Sequence, residues 1–416
     1  MNILHIAAHM GGGIGSAYTG LGKCGVNQKI LLLEEAIDKE SLSKVEKQGF
    51  KIIKKPNDDQ LKRELSQADI IVFNWSHHPA LTKFLIDFPD IAIRSLLWCH
   101  VSGNYFPHLF PVFLKKFHQV LFTTPYSLIL PQVKEMGGNY SNEHFGVVYG
   151  LGDLSRFTEV KRVQHKKFIV GYVGTLGFCK LHPDFVDFTA ALDIADVEFA
   201  LVGSPSTRRE ILEAAQKRGI AEKFVFYGQV DDVRCVLSRM DVFSYILNPQ
   251  HFGATENALL EAMASGLPAV ALNQSVESII IKNNKTGFLV NSPEAYGEAI
   301  RQLYVDKTFA NEMGIQAKED MLQRFNIEDN RKRFISYCHR AMNFTKKIHQ
   351  FNDFFGKTPS DWFLSCVETD RECFLENRVT DAGLIFKEKT KGSPAHYLSY
   401  FPDDPRLAFW VNQYAV

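Results

Sequence analysis

The sequence predicts an α/β protein built from two doubly wound, mainly parallel sheets in tandem. Short apolar runs typical of strands alternate with amphipathic stretches typical of helices over most of the chain, which is the pattern of βαβ units. These runs fall into two series, which the polar and basic segment 151–167 separates. A chain of 416 residues is long enough for two or three domains with ordinary cores.

Each series contains strand-like runs in regular succession. The first predicts strands at NILHIAA, KILLLEE, DIIVFNW, SLLWCHV, QVLFTT and FGVVYG, and the second at FIVGYVG, VEFALVG, FVFYG, VFSYI, PAVAL and GFLV. We therefore predict a first domain over residues 1–160 and a second over residues 161–345. Residues 346–416 are aromatic-rich and irregular, and we expect them to form a helical or irregular extension that packs back on the first domain.

Charge and composition argue against several classes of protein. The 47 basic residues balance 47 acidic ones, so no overall field attracts nucleic acid or an anionic membrane, and we expect no nucleic-acid partner. The seven cysteines form no C-x-x-C pair, which argues against a disulfide framework and a zinc ribbon. Because the start lacks a signal-peptide pattern and no apolar run reaches about 18 residues, we expect a cytoplasmic protein.

Contact with the inner face of a membrane is a weaker expectation. Segment 105–122, YFPHLFPVFLKKFHQVLF, mixes aromatic residues with two lysines and could lie at a bilayer surface as a peripheral element. Packing of this segment against the N-terminal sheet is the stronger alternative.

A glycine-rich stretch follows the first predicted strand, in HIAAHMGGGIGSAYTGL. We expect a loop over the glycines and a helix from about Ser16, whose free N–H groups would bind an anion. A dinucleotide fingerprint is one alternative, with Glu34 or Glu35 as the ribose-binding acid, but its third glycine falls on Ser16 or Tyr18. A purely structural tight turn is another alternative.

Segment 251–268, HFGATENALLEAMASGLP, predicts a short helix from about Glu256 to Ser265. Thr255 is the expected N-cap, and Gly266 stands where the helix should end.

The two acids of this helix fall on different faces. The stripe that should face the sheet is apolar and consists of Leu259, Leu260 and Met263. Glu261 lies on the opposite face, about 140° from Glu256 around the helix axis. On periodicity alone, Glu261 is a solvated acid, and Glu256 is a first-turn acid favoured by the helix dipole.

Two other residues stand where ligands bind in open α/β sheets, beyond the carboxyl ends of strands. His100 ends the strand SLLWCH, and Lys180 follows the strand GYVG with an ammonium group able to reach a phosphate. Each alone is also compatible with an ordinary structural or solvated side chain. The chain lacks D-x-D, G-x-x-x-x-G-K-[ST], H-E-x-x-H and G-x-S-x-G, which argues against a metal-held nucleotide diphosphate, ATPases, zinc proteases and serine hydrolases.

The order of the fragments resembles the retaining, sugar-nucleotide-dependent glycosyltransferases of family 4, in the superfamily of glycogen synthase and phosphatidylinositol mannosyltransferase. The resemblance is carried by GYVGTLGFCK, FALVGSPS, FVFYGQV, MDVFSYILNPQ, ATENALLEAMASGLPAVAL, TGFLVNSPEAYGEAI and QRFN. The N-terminal half matches more loosely, through the glycine-rich loop, WCHVSGN and VVYGLGDLSRF. The resemblance implies the GT-B fold, in which two Rossmann-like doubly wound parallel-sheet domains face each other across a cleft.

Roles for individual residues are implied by the same resemblance. Lys180 would grip the donor diphosphate, Glu261 would accept hydrogen bonds from the nucleotide ribose, and His100 would lie near the transferred sugar. The glycine loop would lie near the donor phosphates or the acceptor. The full donor-binding set is Gly12, Gly13, Gly174, Thr175, Lys180, Gly203, Tyr227, Gly253, Ala254, Thr255, Asn257, Ala258 and Glu261.

The chain departs from the family pattern at two positions. Gly253 replaces the first glutamate of the E-x7-E motif, and Thr175 stands where the family has an arginine that neutralises the leaving diphosphate. Glu256 either takes over sugar binding, which would make it catalytic together with His100 and Lys180, or only starts the helix.

The implied activity is transfer of a sugar from a UDP or GDP donor to a hydroxyl of a glycan, lipid-linked or protein acceptor, with retention of configuration. Such a hexosyltransferase would act in polysaccharide or glycoconjugate biosynthesis of a bacterial type. We expect no metal or other cofactor, because Lys180 and the amides near Asn257 and Ala258 would stabilise the leaving diphosphate. The alternatives are a nucleotide-sugar hydrolase or epimerase of the same fold, or a degenerate, non-catalytic binding protein.

Overall fold

The structure of the chain, a computed structural model, describes residues 1–22, 24–35, 39–137, 143–204 and 206–414. The chain forms two compact units: residues 1–152, 252–255 and 327–416 make up the first, and residues 153–251 and 256–326 the second. Each unit carries a parallel sheet with helices. The predicted fold class, with two Rossmann-like doubly wound domains, is therefore confirmed.

The sheet of the first unit has seven parallel strands. In chain order they are β1 Asn2–Ala7, β2 Asn27–Leu32, β3 Lys51–Lys54, β4 Ile70–Trp75, β5 Ser95–Cys99, β6 Gln119–Phe122 and β7 Phe145–Val147. Their order across the sheet is β3-β2-β1-β4-β5-β6-β7, so the winding reverses between β1 and β4. The sequence predicts all of these strands except β3, whose short Lys-Ile-Ile-Lys run lies at the edge.

The helices of the first unit come from both ends of the chain. Those of the N-terminal part are Gly12–Leu21, Lys39–Lys47, Asp58–Gln67, Pro79–Ile86, Pro111–Leu114 and Pro131–Glu135. Those of the C-terminal part are Ile327–Met342, Asn352–Phe355, Pro359–Leu364, Arg371–Leu375, Pro394–Tyr400 and Pro405–Tyr414.

Helix Ile327–Met342 belongs to the first unit, whereas the sequence places it in a second domain that ends at residue 345. Its residues Phe334 and Tyr337 join the core cluster that contains Trp98 of β5. A Cβ atom on Gly146 of β7 would lie 2.3 Å from the Tyr337 ring, so only glycine lets the helix approach the strand this closely. Because the apolar face of helix Ile327–Met342 packs on the first sheet, the second unit ends at residue 326. The second unit also begins earlier than predicted, at residue 153 instead of 161.

The C-terminal extension also belongs to the first unit. Thr82 Oγ1 and Tyr397 Oη share a buried hydrogen bond of 2.9 Å. His77 Nε2 donates to the carbonyl oxygen of Phe363 at 3.1 Å. These buried contacts tie the extension to the segment that follows β4.

The sheet of the second unit has six parallel strands. They are β8 Phe168–Val173, β9 Val197–Val202, β10 Phe224–Gly228, β11 Val242–Tyr245, β12 Ala269–Leu272 and β13 Gly287–Val290, and the sequence predicts all of them. The helices are Phe185–Ala190, Arg208–Lys217, Val233–Leu237, Asn257–Ala264, Glu277–Ile280, Pro293–Val305 and Lys307–Arg324. The strand order is β10-β9-β8-β11-β12-β13, so the winding reverses between β8 and β11.

The aromatic segment 105–122 packs largely inward. Phe113, Leu114 and Phe117 are buried in the first unit. This burial favours packing over contact with a bilayer. Across the described ranges, the helices are all too short or too polar to cross a membrane.

Buried histidines make the first unit sensitive to acid. Burial lowers the pKa of His77 and His100 to about 3, and that of His5, His118 and His349 to about 4. In the unfolded chain these histidines therefore bind protons below about pH 6.5, whereas in the folded unit they stay neutral until the pH falls to about 4. We expect the free energy of unfolding to fall over this window, by about 1.4 kcal/mol per pH unit for each such histidine at most.

Tryptophan fluorescence measures this unfolding in urea between pH 7 and pH 4.5, because all four tryptophans lie in the first unit. His349→Gln should reduce the pH dependence by about one proton. The exposed His339, changed to Gln, is the matched control and should leave it unchanged. A urea midpoint that does not vary with pH would contradict the prediction.

Candidate functional site

The candidate site lies in the second unit, where the winding of the sheet reverses between β8 and β11. Ligands of open α/β sheets bind beyond the carboxyl ends of strands at such a reversal. Two segments leave the sheet there: residues 174–184 after β8 and residues 246–256 after β11. They carry most of the polar residues described below.

A cavity of about 300 Å³ opens at the carboxyl ends of β8, β9 and β10. Its lining consists of Val173, Gly174, Thr175, Val202, Gly203, Ser204, Gln229, Val230 and Val233. The sequence predicts Gly174, Thr175 and Gly203 as donor-binding residues, and the structure brings all three together. The sequence does not predict Ser204 and Gln229 as donor-binding residues, although each directly follows a predicted strand.

Two glycines shape the wall of this cavity. Gly174 and Gly203 have φ angles of +153° and +146°, which side chains rarely adopt. A Cβ atom on Gly203 would lie 1.9 Å from the carbonyl oxygen of Gly174, so the two backbones meet without room for a side chain. A ligand in the cavity therefore meets backbone at these positions.

Lys180, six residues after Gly174 in the sequence, makes a buried ion pair. Its Nζ atom is 2.6 Å from Oε2 of Glu256, and only 13% of the lysine side chain and 1% of the glutamate side chain are exposed. The hydroxyl of Tyr245, the last residue of β11, donates to the same carboxylate oxygen at 2.5 Å. The ion pair thus links the segment after β8 to the end of β11.

A second buried carboxylate extends the network. His251 lies between the two acids, with Nδ1 3.7 Å from Glu256 Oε1 and Nε2 2.9 Å from Glu277 Oε1. Burial would raise the pKa of Glu256, but the charges of Lys180 and His251 outweigh it and lower the pKa. Glu256 is therefore ionised at neutral pH.

Helix 257–264 differs from its prediction at its first residues. It begins at Asn257, and its N-cap is Glu256, with φ 54° and ψ 54° in the left-handed region. The expected N-cap, Thr255, instead donates from its hydroxyl to the carbonyl of Thr123 at 3.1 Å. Glu256 is thus neither a first-turn acid nor solvated, because the left-handed backbone turns its carboxylate into the interior.

The predicted faces of this helix agree with the structure in part. Leu259, Leu260 and Met263 are fully buried, as the apolar stripe predicts. Glu261, on the other face, is only partly buried. Burial raises its pKa to about 7, against the opposing effect of Arg156. Glu261 is therefore a poorly hydrated acid and not an ordinary surface residue.

The remaining residues of the predicted donor set are spread over both units. Tyr227 lies in β10, and its hydroxyl donates to Glu198 Oε1 at 3.3 Å. Gly253 and Ala254, like Thr255, belong to the first unit. Asn257 and Ala258 form the first turn of helix 257–264, which has no side-chain cap.

His100 belongs to the first unit, at the end of β5. Its Nε2 donates to Asn74 Oδ1 at 3.0 Å, and burial, assisted by His5, keeps the ring neutral by lowering its pKa to about 3. Gly12 and Gly13 also lie in this unit, in the first turn of helix Gly12–Leu21. The expected loop up to Ser16 is therefore mostly helix, and a Cβ atom on Gly12 or Gly13 would meet open space.

Comparison with known proteins adds to this geometry. Residues 155–320 match the family model of glycosyl transferases group 1. The chain is 25% identical over 184 residues to the N-acetyl-alpha-D-glucosaminyl L-malate synthase of Bacillus anthracis, covering 44% of this chain and 48% of that protein. It is 24% identical over 192 residues to the UDP-Gal:alpha-D-GlcNAc-diphosphoundecaprenol alpha-1,3-galactosyltransferase of Escherichia coli, covering 44% and 48%. The chain thus spans about half the length of the curated relatives that it matches.

Solved structures match over more of the chain. Anabaena HepE in complex with UDP and glucose has a TM-score of 0.66 at 16% identity, covering 82% of this chain and 99% of that one. The sucrose-phosphate synthase of Thermosynechococcus elongatus has a TM-score of 0.59 at 16% identity, covering 82% and 98%. These likenesses establish the two-domain GT-B fold. The family match over residues 155–320 accompanies this fold, and the comparisons do not favour the hydrolase, epimerase or non-catalytic alternatives.

The raised pKa of Glu261 predicts a pH-dependent cost in stability. Because the unfolded chain releases this proton near pH 4.5 and the folded unit near pH 7, stability is lost as pH rises through that window. Glu261→Gln removes the cost, so the second unit should gain about 1–3 kcal/mol at pH 8 and nothing at pH 4.5.

Hydrogen exchange of peptides from helix 257–264 measures this gain, because the tryptophans lie in the other unit. The exposed Glu298, changed to Gln, is the matched control. Equal protection of the Glu261→Gln variant and the unchanged protein at pH 8 would refute the prediction.

Proposed function

We propose that this chain transfers a hexosyl group from a nucleoside-diphosphate sugar to an acceptor hydroxyl with retention of anomeric configuration. The observation that carries the proposal is the buried Lys180–Glu256 pair, which lies, like the glycine-walled cavity, in the second unit and within the residues that match the family model. In such a pair, the lysine can bind the diphosphate of the donor and the carboxylate can contact its sugar.

The cavity would hold the nucleotide. Backbone at Gly174 and Gly203 allows close approach, and Ser204 and Gln229 supply polar groups for orientation. Glu261, once ionised, would accept hydrogen bonds from ribose hydroxyls. UDP is the first nucleotide to test, because the structure of Anabaena HepE contains it.

Lys180 would hold the diphosphate. Its three N–H donors allow it to bind a phosphate oxygen while remaining close to Glu256. The first turn of helix 257–264 adds the positive end of a helix dipole, which favours the charge that develops as the glycosidic bond breaks. This pair of features would compensate for Thr175, which stands in place of the family's arginine.

Glu256 would stabilise the transferred sugar and set the position of Lys180. Its lowered pKa keeps it anionic, so it can face the positive charge of an oxocarbenium-like sugar. Retention would follow from attack of the acceptor hydroxyl on the face from which the diphosphate leaves, with the departing phosphate oxygen taking the hydroxyl proton. In this mechanism no side chain forms a covalent bond with the sugar.

No metal takes part in this proposal. Among the described residues, no group of three or more histidine, cysteine, aspartate or glutamate side chains is arranged to hold a metal ion. A glycan, a lipid-linked sugar or a protein could supply the acceptor hydroxyl, and a cytoplasmic location stays a prediction.

Removal of the Lys180 ammonium should abolish most of the transfer. We expect Lys180→Ala to slow acceptor-dependent release of nucleoside diphosphate by about 100-fold or more, because the leaving charge loses its cation. A panel of UDP- and GDP-sugars with mixed acceptors provides the assay, and exposed Lys217→Ala is the control.

UDP at about 100 times its dissociation constant should also add about 2.7 kcal/mol to the free energy of unfolding. Absence of stabilisation by every nucleoside diphosphate would sink the proposal, and equal release without acceptor would favour hydrolysis.

Substitution of Glu256 should separate donor binding from transfer. Glu256→Gln leaves Lys180 without its carboxylate, so we expect UDP to bind at least as tightly as in the unchanged protein while transfer slows by about tenfold or more. Calorimetry gives the UDP affinity, the release assay gives the rate, and the exposed Glu312→Gln is the control. Unchanged transfer would show that Glu256 only organises the backbone before the helix.

A further inference from the structure

A second group of polar side chains lies in the first unit, at the carboxyl ends of three adjacent strands. One residue follows β1, one follows β2 and one follows β4, and helix Pro394–Tyr400 of the extension contributes two more. We name these five residues the imidazole cluster: His9, Glu34, His78, His396 and Tyr400.

The rings of the cluster are in contact with one another. The ring centroids of His9 and His78 are 5.1 Å apart, and those of His78 and His396 are 4.6 Å apart. Tyr400 lies 5.5 Å from His396, and its hydroxyl donates to Oε1 of Glu34. The other carboxylate oxygen of Glu34 is 3.7 Å from Nε2 of His78. The cluster therefore surrounds one carboxylate with aromatic rings.

Hydrogen bonds fix the tautomers of two histidines. The backbone N–H of Ala80 donates to His78 Nδ1 at 3.3 Å, and that of Gly392 donates to His396 Nδ1 at 3.0 Å. A nitrogen that accepts a hydrogen bond carries no proton, so each neutral ring has its proton on Nε2. The cluster thus offers two N–H donors next to a carboxylate acceptor.

This combination of groups selects among ligand classes. A metal ion needs nitrogen lone pairs, and the Nε2 atoms of His78 and His396 are protonated. An anion would be repelled by Glu34. A hydroxyl group suits the arrangement, because it can accept from an imidazole N–H and donate to a carboxylate at the same time.

Burial keeps these imidazoles uncharged at neutral pH. Burial and then the neighbouring histidines lower the pKa of His78 to about 2, and burial, with His9 and Lys391, lowers that of His396 to about 4. Access remains, because His9 and His396 are partly exposed and Tyr400 is 36% exposed. The Nδ1 atom of His9 is buried and, within the part of the chain that is described, makes no hydrogen bond of ordinary geometry.

We propose that the imidazole cluster binds neighbouring hydroxyl groups of a carbohydrate, and that the C-terminal extension completes this subsite. That the bound carbohydrate is the acceptor rests on the proposed function. The aromatic rings can also cover apolar faces of a sugar ring, as they do in other amphipathic contacts. The extension is then part of the acceptor side of the enzyme.

Binding of neutral glycans to the full chain tests this inference. The probe is a printed array of neutral mono- to tetrasaccharides, with calorimetry on the strongest glycan. We expect His396→Phe, which keeps a ring but removes the N–H, and Tyr400→Phe, which removes one hydroxyl, each to weaken binding about tenfold. The exposed His339→Phe is the matched control and should bind normally. Tyr400→Phe keeps the test decisive if His396→Phe does not fold, since it changes one partly exposed hydroxyl.

The outcomes separate this subsite from the donor site. Failure of every glycan to bind, or equal binding by the cluster variants, overturns the inference. Binding of inorganic phosphate that both cluster variants weaken would assign the cluster to anions and also overturn it. Stabilisation by UDP is measured on the same samples: if it persists while glycan binding fails, only the subsite is wrong. If glycan binding depends on the cluster but UDP does not stabilise the protein, the subsite proposal stands and the proposed transferase function is wrong.

Discussion

The structure of the candidate site depends on the burial of two carboxylates, Glu256 and Glu277, in the second unit. A buried carboxylate without a cation costs several kcal/mol, so the fold must bring positive groups to it. Lys180 does this for Glu256 from the segment after β8, and His251 lies between the two acids. These contacts fix three separate segments at the point where the winding of the sheet reverses. The same electrostatics holds the Lys180 ammonium group at the position that the proposed function assigns to the donor diphosphate.

The charge balance of this network also limits how it can work. The carboxylate of Glu256 neutralises Lys180, so in the proposed function the donor diphosphate would compete with this carboxylate or share the cation with it. A shared cation has an advantage, because Tyr245 already donates to the same carboxylate oxygen and keeps it partly satisfied. Under the proposed function, a diphosphate would therefore bind without leaving a buried charge unpaired, which is the costly state.

The fold could be predicted from the sequence because each strand is a short apolar run that is visible locally. Every predicted strand is present, and β3 was missed because its run of two isoleucines between lysines is too short to stand out. The burial of Glu256 could not be predicted, since a helical wheel assumes helical backbone and this residue has a left-handed one. His251 and Glu277 were missed for a related reason: they are far from Lys180 in sequence, and only burial makes them partners. Lys180 was indicated by its position after a strand, whereas the roles predicted for Lys180 and Glu261 came from the family resemblance and not from periodicity.

The imidazole cluster bears on the dinucleotide alternative as well. That alternative requires a free acid at the end of β2 to bind a ribose, and Glu34 and Glu35 are the two candidates. In the structure Glu34 accepts a hydrogen bond from Tyr400, a residue more than 300 positions away that the extension brings in. A ribose at Glu34 would have to displace this tyrosine, and the third glycine of the fingerprint is missing, because Ser16 or Tyr18 stands in its place. Because Tyr400 of the extension already donates to Glu34, the end of β2 differs from the arrangement that a dinucleotide fingerprint describes.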